Sequence, residues 1–233
     1  MKRVIASKLS QLKERLGGYV ALLVYRYANL CTEANPVALL SAQVTIEGEV
    51  KRLEDVAKVS IHEKYHFIVE PLYEEDLFPI GQAIMKVHPE FKQEVKSFDG
   101  YAEEDPEGKF LFYTMPEVNK ERHDILLKAV DAFYDECSEK MSAAQQYCTQ
   151  RLAVLQANAT PEEIEKTADY MKEVVKQYND MRDTNRDDKK KEIEDAYAEY
   201  QTKKAEKQAQ EQEQQQAAGN PMQMTMQGGG SEG

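Results

Sequence analysis

Four histidines, three cysteines and a handful of cations near the start of the chain are the side chains with chemistry to offer. His62 and His66 are separated by four positions in a stretch that reads as strand. That spacing puts both on one face about 13 Å apart, too far for one zinc ion. With His88 and His123 isolated elsewhere, surface or capping roles are expected and no metal. Cys137 and Cys148 fall on apolar positions of one helix about 16 Å apart by helical rise, so they cannot bridge each other. With Cys31 they read as small buried hydrophobes. No G-x-x-x-x-G-K, nucleophile elbow or paired-cysteine motif occurs. Nucleotide hydrolysis and acyl transfer therefore lack support, and no catalytic residue, cofactor or small-molecule substrate is expected.

The cations are unevenly placed. The net charge is −12, yet residues 1–30 carry six Lys or Arg against Glu14 alone, whereas residues 33–115 carry seventeen acids against eight bases. An acidic chain is poorly suited to gripping phosphates over a broad face, because that binding displaces counterions with Lys and Arg. Contact with nucleic acid, if made, should be local. Lys8, Lys13, Arg15 and Arg26 on the first helix, with Lys140 and Arg151 on the central one, are the candidate RNA contacts; the alternative is a solvated helix face. Aromatic residues between 65 and 113 read as the core of a small domain rather than a stacking platform, since no arginine is interleaved with them. Val20 to Val24 is too short for a signal-peptide core and is followed by Tyr-Arg-Tyr, so no membrane partner and a reducing, cytoplasmic location are expected.

Three long helices must position these groups. The first covers residues 2–30, with Ile5, Leu9, Leu12, Leu16, Tyr19, Leu23 and Leu30 on one face, interrupted by Gly17-Gly18 and stopped at Asn35-Pro36. Gly17-Gly18 reads either as a close approach or bend, or as a tolerated weak spot. The central helix opens after Met115-Pro116 with Asn119 as cap and carries a seam through Leu126, Val130, Phe133, Cys137, Met141, Ala144, Cys148, Leu152 and Leu155. Thr160-Pro161-Glu162-Glu163 starts the third, with Thr160 capping and Glu163 placed for a capping box. Its seam is Ile164, Ala168, Met171, Val175 and Tyr178, then Ile193, Ala196 and Tyr200; the charged run from Arg182 to Lys191 thins it.

Between the first two helices the pattern changes to short strands near Val44 and Ile46, a Gly48-Glu49 turn, a step at Leu53 to Ala57, and strands near Val59 to Ile61 and Phe67 to Val69. A helix with Leu77, Ile80, Ile84 and Val87 on one face follows. A hairpin with its tip at Asp99 to Gly108 then leads into the strand 109–114. The fold expected is α+β: a long antiparallel three-helix bundle (1–32 and 117–203) with a small, β-rich α+β domain (33–116) inserted between helix one and helix two. Residues 204–233, rich in Gln, Met and Gly, are expected to be a disordered tail. A monomer is expected.

At this point the sequence resembles the ribosome recycling factor family. Ala34-Asn35-Pro36-Val37-Ala38-Leu39-Leu40 is similar to that family's A-S-P-x-L-L step out of helix one. Leu53-x-x-Val56-Ala57-x-Val59-x-Ile61 is similar to its L-x-x-L-A-x-V-x-V, and Pro116 to His123 to its P-x-L-T-x-E-R-R. Thr160-Pro161-Glu162-Glu163 resembles its acidic start to helix three. The resemblance implies a non-enzymatic factor that enters the ribosome after termination, touches large-subunit RNA and separates the subunits with elongation factor G. It also implies hinge strands at Glu33, Ala34, Asn35, Pro36 and at Met115, Pro116. The chain departs where the family ends helix one with R-T-G-R, having Leu30-Cys31-Thr32-Glu33. It departs again where the family's central helix carries R-N-x-R-R, having Ser142-Ala143-Ala144-Gln145-Gln146. Each lost phosphate contact steeply lowers affinity at physiological salt. A paralogue that has lost these arginines and uses its acidic domain as an adaptor for a basic protein partner is the alternative.

Overall fold

The computed structural model describes residues 3–101 and 108–218. Helix α1 (Arg3–Ala28) buries Ile5, Leu9, Leu12, Leu16, Val20, Leu23 and Tyr27 at helical spacing. It ends two residues before the expected Leu30, ahead of the stop at Asn35-Pro36. Its last turn tightens through Asn29 N–H to the Arg26 carbonyl and Leu30 N–H to the Tyr27 carbonyl, and the Asn29 amide donates back to Tyr25. Asn35 instead caps a short 3₁₀ helix, Pro36–Ser41, by accepting from Val37 N–H at 3.0 Å.

Strands β1 (Gln43–Ile46) and β2 (Glu49–Arg52) form a two-residue hairpin. Its corner is Glu47-Gly48, both with positive φ of 51° and 84°, so the turn sits one residue earlier than expected and Glu49 is already strand. β2 carried no readable signal because Val50, its one apolar residue, is 64% exposed. The single turn α2 (Leu53–Val56) leads into β3 (Ala57–Glu63) and β4 (His66–Pro71). Helix α3 (Leu77–Val87) tolerates Pro79 because the first turn needs no intrahelical donor there. β5 (Lys92–Ser97) and β6 (Lys109–Thr114) complete an antiparallel sheet in the order β3-β4-β6-β5. Part of the expected hairpin tip, 102–107, lies outside the described residues. Phe67, Val69, Leu111 and Tyr113 from the sheet meet Ile80 and Ile84 from α3, with Leu39, Val44, Leu53 and Met115, in one apolar cluster.

A second, separate cluster joins α1 to α4 (Lys120–Leu155) and α5 (Pro161–Ala218). Asn119 caps α4 by accepting from Arg122 N–H at 2.9 Å. The seam from Leu126 to Leu152 is buried, with Phe133 and Leu155 half-buried at its sides. The Cys137 thiol points at the Tyr19 carbonyl and the Cys148 thiol at that of Lys8, so α1 and α4 run antiparallel. Tyr134 donates to Asp183 and Thr149 approaches Met171, so α4 and α5 are antiparallel too.

The capping box at the start of α5 is made: Glu163 N–H donates to the Thr160 hydroxyl at 3.3 Å, and Thr160 N–H to the Glu163 carboxylate at 3.2 Å. The seam of α5 differs from the expected one at its start. Ile164 and Ala168 are exposed, and Thr167 and Val174 are buried in their place. Along 182–191 polar fastening replaces the thinned seam. Arg182 and Arg186 lie 4.6 and 4.5 Å over the Tyr134 ring, and Lys190 pairs with Asp131 at 2.6 Å. The helix continues through 204–218, where a disordered tail was expected. Gln, Ala, Glu and Lys there are strong helix formers that extend a helix already nucleated. The remainder of that expected tail, 219–233, lies outside the described residues. No helix among them is long and apolar enough to cross a membrane.

Candidate functional site: the junction and the basic face

The two segments that connect α1 and α4 to the sheet region meet at one turn. Ala34 N–H donates to the Lys64 carbonyl at 2.7 Å and Met115 N–H to the Tyr65 carbonyl at 2.8 Å, so both are tied to the β3–β4 corner. Arg122, held in the first turn of α4 by the Asn119 cap, donates to the Pro116 carbonyl from one guanidinium nitrogen. Its other donates to the Cys31 carbonyl at 2.8 Å. The planar fork suits acceptors on two separate connectors, because its nitrogens point in fixed, different directions. Burial pushes the Arg122 guanidinium down from its ordinary value, with Glu90 acting against it. From α5, Glu199 pairs with Lys64, and Lys203 reaches Glu199 at 3.0 Å and Glu117 at 3.5 Å while lying 5.2 Å over the Tyr65 ring.

Of the six expected hinge residues, Ala34 and Met115 are buried in the sheet-side cluster. Glu33 is exposed, Asn35 and Pro36 open the 3₁₀ helix, and Pro116 accepts from Arg122. Beside them lies a cleft of about 520 Å³ walled by Leu30, Val87, Ile125, Leu126 and Phe133. Sequence reasoning missed the cleft because its walls come from separate stretches of chain. It also missed Arg122 as a clasp, although an arginine three residues past a cap and six past a proline was the available signal.

The six expected RNA contacts separate into two groups and an outlier. Arg26 and Lys140 both pair with Glu136, whose carboxyl is held at about 2 by hydrogen bonds from Arg26 first and then Lys140. Arg15 from α1 and Arg151 from α4 each lie 5.4 Å from the centroid of the Tyr147 ring, and Arg151 Nε donates to the Tyr147 hydroxyl at 3.3 Å. Lys8 donates to Gln11 at 3.0 Å on the same side of α1. Lys13 is exposed on another side. Tyr147 and Glu136 were not singled out from sequence; Tyr147 stands one helical turn before Arg151, which was the signal for it.

The histidines sit differently from expectation. His62 and His66 are on opposite arms of the β3–β4 hairpin rather than along one strand, and both approach the Phe112 ring, at 5.8 and 5.1 Å. His88 bridges the Ala38 carbonyl at 3.0 Å and Glu90 at 3.1 Å, stacked on Phe91. His123 lies between Asp124 and Glu194 against Tyr197. Among the described residues no group of three or more His, Cys, Asp or Glu is gathered as a metal would need.

Solved structures share the overall fold. The chain superposes on a solution structure of the ribosome recycling factor with a TM-score of 0.68 at 14% identity, covering 84% of this chain and all of that one. It superposes at 0.55 and 17% identity on the T. thermophilus ribosome recycling factor described with E. coli elongation factor G on the E. coli post-termination complex, covering 81% and 98%. No curated protein sequence matches the chain. Residues 26–194 match the ribosome recycling factor family, and this match spans most of the sequence. The chain therefore belongs to the ribosome recycling factor family.

Proposed function

We propose that the protein acts in translation as a recycling factor, separating ribosomal subunits after termination by shape and hinge motion, without covalent chemistry. In this reading the three-helix bundle (1–32 and 117–203) carries an inserted lobe (33–116) on two connectors, Glu33 to Pro36 and Met115-Pro116. Its partners are large-subunit RNA and a translocase of the elongation factor G class. The observation that carries it is the family match together with two connectors gathered on one turn. Two connectors only a few residues long, tied at one corner and flanked by separate apolar cores, form a joint whose angle changes without unfolding either side.

The test is dissociation of purified post-termination ribosomes, followed by light scattering with a translocase and GTP. Subunit separation that depends on the added protein is the expected result. No separation, together with no co-sedimentation on empty ribosomes even at low salt, would remove the reading.

A second reading has one observation in its favour: Arg26 and Lys140 are spent on Glu136, which lowers the charge free for RNA. In it the acidic lobe holds a basic protein partner. Affinity capture separates the two, recovering ribosomal components in the first case and one non-ribosomal basic protein in the second.

A further inference from the structure

Helix α5 outruns the rest of the bundle. Its partner α4 begins at Lys120, whose ammonium lies 5.9 Å from the Tyr197 ring, so the part of α5 beyond Tyr197 overhangs the start of α4 by about 30 Å and passes the lobe. Two charged residues one helical turn apart are used there. Glu199 pairs with Lys64 at the β3–β4 corner. Lys203 joins the same carboxylate at 3.0 Å, reaches Glu117 on the returning connector at 3.5 Å, and lies 5.2 Å over the Tyr65 ring. Hydrogen bonds from Lys64 first and then Lys203 hold the Glu199 carboxyl below its ordinary value.

The outgoing connector is fastened to α5 two turns earlier. The Thr32 hydroxyl donates to Glu192 at 2.6 Å and the Lys189 ammonium to the same oxygen at 2.8 Å, with Thr32 and Lys189 both buried. Glu33 adds its charge beside Lys64. Thr32 and Glu33 belong to the step where the chain departs from R-T-G-R, and Glu199 and Lys203 lie beyond residue 194, where the family match ends. The fastening thus draws on positions where this chain differs from the family pattern or extends past its match.

Apolar packing does not fix the lobe's angle. The lobe and the bundle have separate cores, and Val87 on one side faces Leu30 and Ile125 on the other across the open cleft of about 520 Å³, which α5 does not line. Polar contacts are left to decide the orientation. Lys64, Glu199, Lys203 and Glu117 keep 36–43% of their side-chain surfaces open to solvent. One exposed pair shifts an equilibrium by about five-fold at most, but charges that share partners act as a network. Such a network biases a joint and still yields to salt.

We propose that α5 latches the lobe: Glu199 and Lys203, gripping Lys64 and Glu117, hold it in one orientation in the free chain, with the cleft open, and let it turn when their charges are screened. The latch is a property of the free chain, whatever the chain acts on.

The full chain, labelled through Glu75→Cys on the lobe and Gln150→Cys on α4, reports the orientation as a distance distribution from time-resolved energy transfer. Both positions are exposed, and the three native thiols are buried. At low salt the wild-type background should give one narrow distribution, which shifts and widens towards 1 M salt, where the screening length is about 3 Å. Glu199→Gln, on α5, and Lys64→Gln, on the lobe, should each give the wide distribution already at low salt. Lys190→Gln, which removes a pair with Asp131 inside the bundle, should keep the narrow one. Circular dichroism melts establish that each variant is folded.

A wild-type distribution that is wide at low salt overturns the latch, and so does a narrow one in Glu199→Gln or Lys64→Gln. A wild-type distribution that stays narrow at 1 M salt overturns its release by screening. Equal widening in Lys190→Gln replaces the latch with a general loosening of α5 and overturns it as well.

Discussion

The Arg122 guanidinium donates to the Cys31 carbonyl at 2.8 Å across ninety-one positions of sequence, while its other nitrogen holds the Pro116 carbonyl. One side chain thus fastens the outgoing and returning connectors to each other and to the first turn of α4. Arg122→Lys keeps the charge but has no fork, and leaving a part-buried carbonyl without its donor costs about 1–3 kcal/mol. Faster hydrogen exchange is expected at the Ala34 and Met115 amides in Arg122→Lys, with the amides of Leu126 and Val130 unchanged. Equal protection in both proteins would show that the clasp does not hold the joint.

Glu136 sets an acid limit on the packing of α1 against α4. Its carboxyl is depressed from the ordinary 4.5 to about 2 by Arg26 and Lys140, so the pair contributes fully above about 4.5 and its contribution fades as pH falls towards 2. Wild type and Glu136→Gln should therefore differ in Tm at neutral pH and converge as the pH is lowered through that window. The difference should also shrink in high salt, because the Glu136 side chain keeps 40% of its surface open to solvent. Parallel Tm curves down to pH 2 would refute it.

The thiols are shielded in the native state. Burial pushes Cys31 up to about 11 and raises Cys137 and Cys148 as well, and all three are free and buried. At pH 8 the folded protein should react with a thiol-specific reagent much more slowly than the denatured chain. A fast native phase would mean that one of these positions opens.

Gly17 and Gly18 separate into a constrained and an unconstrained position. A methyl group at Gly17 would meet the Tyr178 ring and hydroxyl of α5, the nearest atom at 3.4 Å, whereas one at Gly18 meets nothing within 4 Å. Gly18→Ala should stabilise the protein by about 0.5–1 kcal/mol, and Gly17→Ala should gain less. Urea denaturation of both variants measures the difference.

The turn at Glu47-Gly48 offers a stability gain of another kind. Glu47 adopts φ of 51°, a conformation that an ordinary side chain pays for and asparagine tolerates. Glu47→Asn should raise stability by up to about 1 kcal/mol in the same denaturation experiment.

How much of this was legible in the sequence follows from the range of the forces involved. Helix spacing in α1 and α4, the Asn119 cap and the Thr160–Glu163 box were readable because they depend on residues three or four apart, whose relation the backbone fixes. Family membership was readable from four short motifs in order. The hairpin turn was placed one residue late because the backbone of Glu47 takes a positive φ that its side chain does not advertise. The continuation of α5 past Lys203 was misjudged because low apolar content was read as disorder although the residues favour a helix. What only the tertiary structure decided was which cations remain free. Arg26 and Arg15 look alike in sequence and each lies over an aromatic ring on α4, but Arg26 also meets the Glu136 carboxylate. Coulomb and ring contacts act through space over a few ångströms, so a pairing between residues more than a hundred positions apart exists only once the helices lie side by side.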